Sequence, residues 1–480
     1  MKRICCIGAI AALFASGAQA AELSSPGSSA ADSDKPSCFA SLQDYLKSSA
    51  RDCPLNYGPF TLFGTLDGGF GYEQWGAPVG TYADKPNYAI QRSSGNVHWL
   101  WSPNALTASS IGLRLAQEIV RDWELVGVAE SGFNPYTLRL INGPQSLADN
   151  NLYKAGYQRT AFDTARAGQW DNGQGFIGVS NPTYGTLTFG RTTLLSQSAM
   201  GAYDPAASVA FSQIGFTALY ATFGASPTSR INSALTYRLT FQEVRFAAQA
   251  QIGGYDQGNA ATEQYQGQVG FDYRKFSFDA IVGYARNALT FQTYGGAALP
   301  VGYDPDSIVR ATMMNTGGLE LLMRYDWEKF RFYWGYVYSR STNPSDGYFP
   351  YGISTIASGV VVPPGAVTSN AYTVPRILNT AWTGFRYIVQ PNFGIASAVY
   401  WETQADYLAW PATCSGSGTA TSSSRCGGGR YSYSFVMDYR PLPRLSVYAG
   451  VLVSNVYGGV ASGYLHAQNI APTAGVRFQF

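Results

Sequence analysis

From Gly58 to the C-terminus, apolar and polar residues alternate with a period of two, the pattern of strands with one apolar and one polar face. Thr61–Tyr72 sets Leu62, Leu66, Phe70 and Tyr72 against Thr61, Thr65 and Asp67. Leu235–Phe241 sets Leu235, Tyr237, Leu239 and Phe241 against Thr236, Arg238 and Thr240. Phe330–Tyr338 places Phe330, Phe332, Trp334, Tyr336 and Tyr338 on one face. Tyr431–Tyr439 opposes Tyr431, Tyr433, Phe435, Met437 and Tyr439 to Ser432, Ser434 and Asp438. Sixteen such segments are expected, beginning near residues 60, 109, 123, 174, 185, 233, 244, 264, 276, 318, 330, 378, 393, 431, 445 and 471.

The connections alternate in length. Tight turns are expected at Val120–Asp122, Asn181–Tyr184, Gln242–Glu243, Arg274–Lys275, Glu328–Lys329, Gln390–Asn392 and Pro441–Arg444. Long loops fall near 74–108, 134–173, 193–232, 255–263, 288–317, 340–377, 404–430 and 456–470. Strict alternation implies an up-and-down meander with every long loop at one end. A soluble sandwich has no reason for that asymmetry, whereas outer-membrane barrels have short periplasmic turns and long external loops. The fold expected is all-β: a 16-stranded antiparallel transmembrane β-barrel. A closed barrel satisfies every backbone hydrogen bond in lipid, and one this wide keeps an aqueous lumen. Tyr72, Trp123, Trp327, Trp334, Tyr338, Trp401 and Tyr439 sit at strand ends, as interfacial girdles require.

The N-terminus reads differently. Lys2 and Arg3 precede an apolar run, Ile4–Ala15, and Ala18-Gln19-Ala20 fits a small-x-small cleavage site, so residues 1–20 are expected to be a signal peptide. Residues 21–57 form a periplasmic N-terminal extension, and 58–480 the barrel. Within the extension, Phe39, Leu42, Tyr45 and Leu46 recur at helical spacing between Cys38 and Cys53.

Composition agrees with a membrane barrel. Charged residues are 13 % of the chain, about half the ~25 % of a soluble domain, yet no apolar run outside the leader approaches the ~20 residues of a spanning helix. Without Lys2 and Arg3, 30 basic residues face 30 acidic ones, so no basic stripe awaits nucleic acid. Beyond the leader, Cys38, Cys53, Cys414 and Cys426 allow three pairings, and sequence proximity favours Cys38–Cys53 and Cys414–Cys426 in an oxidising compartment. Neither pair has metal-ligand spacing, and no cofactor motif stands out. The two histidines, His98 and His466, fall in expected loops with no nucleophile motif nearby, so no catalytic residue is assigned.

Specific stretches carry a resemblance. Phe60–Tyr72 (FTLFGTLDGGFGY), Ser110–Arg114 (SIGLR), Glu130–Phe133 (ESGF), Tyr184–Arg191 (YGTLTFGR), Ser146–Asn150 (SLADN), Arg166–Asp171 (RAGQWD), Ser454–Gly458 (SNVYG) and the terminal Phe480 occur in an order that resembles the general bacterial porins, and most closely their alphaproteobacterial branch. The resemblance implies a homotrimer in outer-membrane lipid and lipopolysaccharide, passing ions and small hydrophilic solutes by passive diffusion. It implies that the third external loop, about 193–232, folds into the barrel as a constriction. Wall arginines then face acids across the eyelet. Arg191 and Arg238 match wall positions and Arg114 a basic position on the second strand. Asp204 is the acid of the loop, and Glu118, Glu130 and Asp67 are wall acids able to supply charge. By the same resemblance Phe480 is the mark read by the barrel-assembly machinery.

The residues themselves leave other readings open. Alternation points Arg114 and Arg238 inward but gives Arg191 the parity of Leu187 and Phe189, unless Gly190 forms a bulge. Asp204 before Pro205 also suits a simple turn, and a lumen arginine also suits plain solvation. A substrate-selective channel for sugars or organic acids would need inward aromatics, for which Tyr333, Trp382 and Tyr400 have the parity. An outer-membrane barrel enzyme would need a catalytic set on the wall or rim. A surface adhesin or phage receptor could coexist with a pore.

Overall fold

The computed structural model describes residues 38–75, 97–138, 140, 173–208, 210–214, 230–251, 263–291, 311–345, 372, 374–407, 414, 425–461 and 466–480. The expected leader and residues 21–37 lie outside them, as do the stretches 146–150 and 166–171.

The strands form one closed antiparallel sheet. In chain order they are β1 (Leu55–Tyr57), β2 (Phe60–Glu73), β3 (His98–Pro103), β4 (Ser110–Val120), β5 (Trp123–Gly132), β6 (Gly175–Asn181), β7 (Gly185–Thr193), β8 (Arg230–Phe241), β9 (Val244–Gln251), β10 (Glu263–Tyr273), β11 (Phe276–Phe291), β12 (Ala311–Trp327), β13 (Phe330–Thr342), β14 (Arg376–Gln390), β15 (Phe393–Gln404), β16 (Gly428–Leu442), β17 (Leu445–Gly458) and β18 (Gln468–Gln479). Two of the eighteen add no lane. β3 and β4 pair with the two halves of the same edge of β2, so they are one interrupted crossing. β1 pairs with Phe60–Leu62 of β2 beyond the point where β18 stops, so it continues the lane of β18. Sixteen lanes remain, each pairing with its neighbours around the ring.

Each strand turns one face to lipid and the other to the lumen. Outward residues such as Phe70, Leu113, Phe189, Val282, Trp327, Trp401 and Tyr431 are exposed, while inward Asp67, Gln249, Glu320, Glu402 and Arg430 are buried. Seven short turns stand where the sequence placed them. Three of them, Gln242–Glu243, Arg274–Lys275 and Glu328–Lys329, are two-residue turns with a left-handed first residue, and three more also leave two residues between strands.

The expected loop 74–108 is corrected by β3, which places His98 at the start of a strand. The chain leaves the ladder at residues 104–109 because Asp67 captures it. The Asp67 carboxylate accepts from the Leu106 and Thr107 amides at 3.1 and 2.8 Å and from the Tyr448 hydroxyl at 2.6 Å. Asn104, at φ 58°, makes the turn inward, and its side chain accepts from the Ser109 amide.

Both proximal cysteine pairs are bonded, Cys38–Cys53 and Cys414–Cys426. The first closes a segment containing helix α1 (Leu42–Lys47), capped by the Ser41 hydroxyl. That segment is fixed to the short-turn end by Arg444. Its guanidinium donates to the carbonyls of Tyr45, Ser49 and Cys53 at 2.9, 3.1 and 2.7 Å and lies 3.9 Å from the Tyr45 ring centre.

Candidate functional site

After β7 the chain turns into the lumen. Helix α2 (Leu195–Tyr203) carries Leu195, Ala199, Met200 and Tyr203 buried against the inner wall, among Ile281, Leu322, Val337, Trp382 and Tyr400. Without this apolar face the segment would have no reason to leave water for the wall.

Polar bonds then set its path. The Thr193 carbonyl accepts from Gln249 of β9, and the Ser196 amide donates to Gln266 of β10. The Tyr203 hydroxyl donates to Asp279 of β11 at 2.6 Å. Trp382 of β14 donates its indole N–H to the Tyr203 carbonyl, and Arg386 donates to the Pro205 carbonyl. Tyr400 of β15 donates to the Asp204 carboxylate at 2.6 Å. Further on, Gln213 meets Ser432 of β16, Phe211 packs edge-on to Tyr448 of β17, and the Ala210 amide reaches the Ala105 carbonyl in the β3–β4 interruption. The loop thus follows the inner wall from β9 to β17. The strands β2, β4, β5, β6, β7 and β8 make up the remaining wall of the opening.

The expected site residues fall into three groups. Arg114, Glu130 and Arg191 stand on that remaining wall. Arg114 is half-buried, with its guanidinium 5.0 Å from the Phe63 ring centre, and Glu130 lies within electrostatic reach of it. Arg191 turns inward because the β7–β8 register breaks between Gly190 and Thr192, with Gly190 at φ 137°. A side chain at Gly190 would meet the Gly175 carbonyl at 2.4 Å, so only glycine fits the bulge. The Arg191 guanidinium donates to the Gly173 carbonyl and to Asn232.

Arg238 and Glu118 form the second group, at the short-turn rim. Cross-strand pairing runs Glu118, Glu124, Ser180, Thr186, Arg238 in one row, and Arg238 and Glu118 are exposed there. The third group, Asp204 and Asp67, departs from expectation. Both carboxylates are buried and engaged, Asp204 anchoring the loop to the far wall and Asp67 holding the β3–β4 interruption. Neither presents charge to the opening. Cross-lumen contacts, invisible to strand parity, decide this.

Sequence reasoning missed Arg230. It is paired with Thr193 at the loop base, and Glu130 lies within its electrostatic reach. Its place ahead of the expected strand start at 233 hid it. The inward aromatics Tyr333, Trp382 and Tyr400 are indeed inward, but all three are buried, and the loop covers Trp382 and Tyr400. Trp382 and Tyr400 are anchors of the loop rather than a stacking platform for a sugar.

A closed barrel with an apolar outer band and a polar lumen narrowed by its own inserted loop defines a passive channel across an outer membrane. The chain belongs to the Gram-negative porin family, whose family model matches residues 8–456. Among curated proteins none matches. Solved structures share the fold. An anion-selective porin from Comamonas acidovorans superposes with TM-score 0.56 at 11% identity, over 88% of this chain and 99% of that one. A loop L8 deletion mutant of the Vibrio cholerae outer membrane protein OmpT gives 0.54 at 11% identity, over 88% and 99%. The trimer form of in-vitro folded OmpT gives 0.51 at 10% identity, over 88% and 100%. The protein is an integral outer-membrane porin, through which ions and small hydrophilic solutes diffuse passively.

Proposed function

We propose that solutes cross between the inserted loop and the wall carrying Arg114, Arg191, Arg230 and Glu130, and that this eyelet favours anions. The supporting observation is the fate of the acids. With Asp204 and Asp67 buried and hydrogen-bonded, the wall carries Arg114, Arg191 and Arg230, Arg191 itself buried and held by Gly173 and Asn232, with Glu130 as counter-charge near Arg114 and Arg230. A narrow aqueous gap walled by low-dielectric barrel focuses that field, so near-zero total charge is no guide to the eyelet. Arg238 and Glu118 act as rim charges at the periplasmic mouth.

The rest of the reading follows the family. The chain is exported on residues 1–20 and assembles as a homotrimer among lipid and lipopolysaccharide, after the assembly machinery reads Phe480. It is a channel and not an enzyme: His466 is stacked on Trp75 at 3.5 Å between ring centres, a packing role. Residues 21–57 serve as a periplasmic extension.

The test is Arg191→Ser with Arg238→Ser in planar bilayers. Conductance rises, and the reversal potential in a salt gradient shifts toward cations. The shift shrinks at 1 M salt, where the Debye length is about 3 Å. An unchanged reversal potential at low salt would remove these arginines from ion selection.

A further inference from the structure

Helix α2 lies on an apolar part of the inner wall, and one acid stands within it. Glu320 of β12 pairs with Ile281 of β11 on one side and Val337 of β13 on the other, and Leu322 follows on the same inward face. These three neighbours belong to the buried cluster that receives Ala199, Met200 and Tyr203 of α2. Glu320 itself is 0% exposed, and neither of its carboxylate oxygens has a hydrogen-bond partner among the described residues. We propose that Glu320 anchors a buried site for one monovalent metal cation, of the size of sodium, enclosed between the wall and the inserted loop. Such a site depends on the barrel and its docked loop, not on which solutes pass the eyelet.

Charge balance calls for an ion. An ionised carboxyl in apolar surroundings needs a counter-charge or several hydrogen-bond donors. The inward charges of β9–β13 are the guanidinium groups of Arg245, Arg324 and Arg331 and the carboxylates of Asp272, Asp279, Asp326 and Glu320. Helix α2 adds none. Arg245 holds Asp272 and Asp279, and Arg331 holds Asp326. Arg324 donates to the Ser277 hydroxyl and lies 5.7 Å from the Tyr203 ring centre. Three positive groups against four negative ones leave one negative charge, and the carboxylate without a partner is Glu320. Asp279, within electrostatic reach of it, has the same sign.

Unmet oxygens say which kind of ion. The cross-strand row through Glu320 runs Gln268, Ile281, Glu320, Val337, Thr380 from β10 to β14. Every polar member of that row carries a buried oxygen with no hydrogen-bond partner: Gln268 Oε1, both Glu320 oxygens and Thr380 Oγ1. A proton on Glu320 would cancel the charge but answer at most one of the other two oxygens. A cation answers several at once. It sits about 2.3–2.6 Å from each, the range for a hard ion of calcium's size, and so gathers oxygens that stand too far apart to hydrogen-bond. An all-oxygen set suits such hard ions rather than copper or zinc. The single excess charge selects a monovalent one, and sodium is close to calcium in radius. Glu320 supplies the charge. Gln268 and Thr380, each two lanes away on the same inward row, supply further oxygens directly or through a bridging water.

The experiment uses the full-length protein folded in detergent and unfolded by urea at fixed pH, in sodium chloride or in choline chloride of equal ionic strength. Choline carries the same charge but is too large for an enclosed site. Sodium raises the urea midpoint of the parent. Above the dissociation constant, each tenfold rise in sodium multiplies the ratio of folded to unfolded protein about tenfold, and choline has no such effect. In Glu320→Gln, neutral and of the same shape, the sodium effect is lost. Glu328→Gln, in an exposed turn, keeps it. If Glu320→Gln does not fold, Glu320→Met, which continues the apolar surroundings, takes its place. Equal midpoints in sodium and choline for the parent, or a sodium effect that persists without Glu320, would overturn the proposal. A midpoint that follows pH but not sodium would overturn it in favour of a proton on the carboxylate.

Discussion

At the scale of single residues, periodicity told which way a side chain points but not what it meets. Arg191 shows the first half: its parity conflicted with an inward role, and the conflict located the bulge at Gly190. Asp204 shows the second half. Burial raises its carboxyl above the usual carboxylate range, an effect partly offset by hydrogen bonds from Ser212 and Tyr400 and by the Arg386 charge. A proton therefore binds the docked loop more tightly than a released one. Docking is strongest below the ordinary carboxylate pKa of about 4 and weakens as pH rises through the raised value. Open-channel current noise should therefore grow from pH 4 toward neutrality. Asp204→Asn, neutral throughout, should flatten that dependence, and an identical pH profile in the variant would show that loop docking does not follow this carboxyl.

At the scale of elements, the lipid and lumen faces impose period two on every crossing, so most strand starts were legible to within a few residues. The failures have physical causes. β3 is six residues long and cut from β4 by the Asp67-held interruption, so it looked like loop. β1 is three residues long, too short for any period. The α1 segment was legible from its spacing, but its attachment was not, because Arg444 lies about four hundred positions away in sequence. Arg444 is nearly fully buried and donates to three carbonyls of that segment. Arg444→Ala should release the segment and cost roughly 3 kcal/mol, given about 1.5–3 kcal/mol for a hydrogen bond to a charged group. The readout is the temperature at which the folded gel band is lost. An unchanged temperature together with retained protection of residues 42–53 from proteolysis would refute the latch.

At the scale of the whole molecule, the alternation of short and long connections carried the topology, whereas the inserted loop came only from family resemblance. Its apolar helix face is indistinguishable in sequence from any buried stripe. The β18–β2 ladder closes the ring and ends at Phe480, whose backbone exchanges two 3.0 Å hydrogen bonds with Gly64. Its ring lies where a Gly64 side chain would be, 2.3 Å from an added Cβ. Gly64→Ala should therefore lower the heat resistance of the folded barrel while outer-membrane yield stays normal. Deleting Phe480 should lower yield as well. Equal yields for the deletion and the parent would argue against an assembly role for the terminal residue. The seam also has a meaning in time. β2, the first long strand, pairs on one edge with β3 and β4, which follow it in the chain, but most of its other edge waits for β18, made after every other strand. Until export is complete that edge is an open template, so protection of the half-built sheet from stray strands must come from outside the chain.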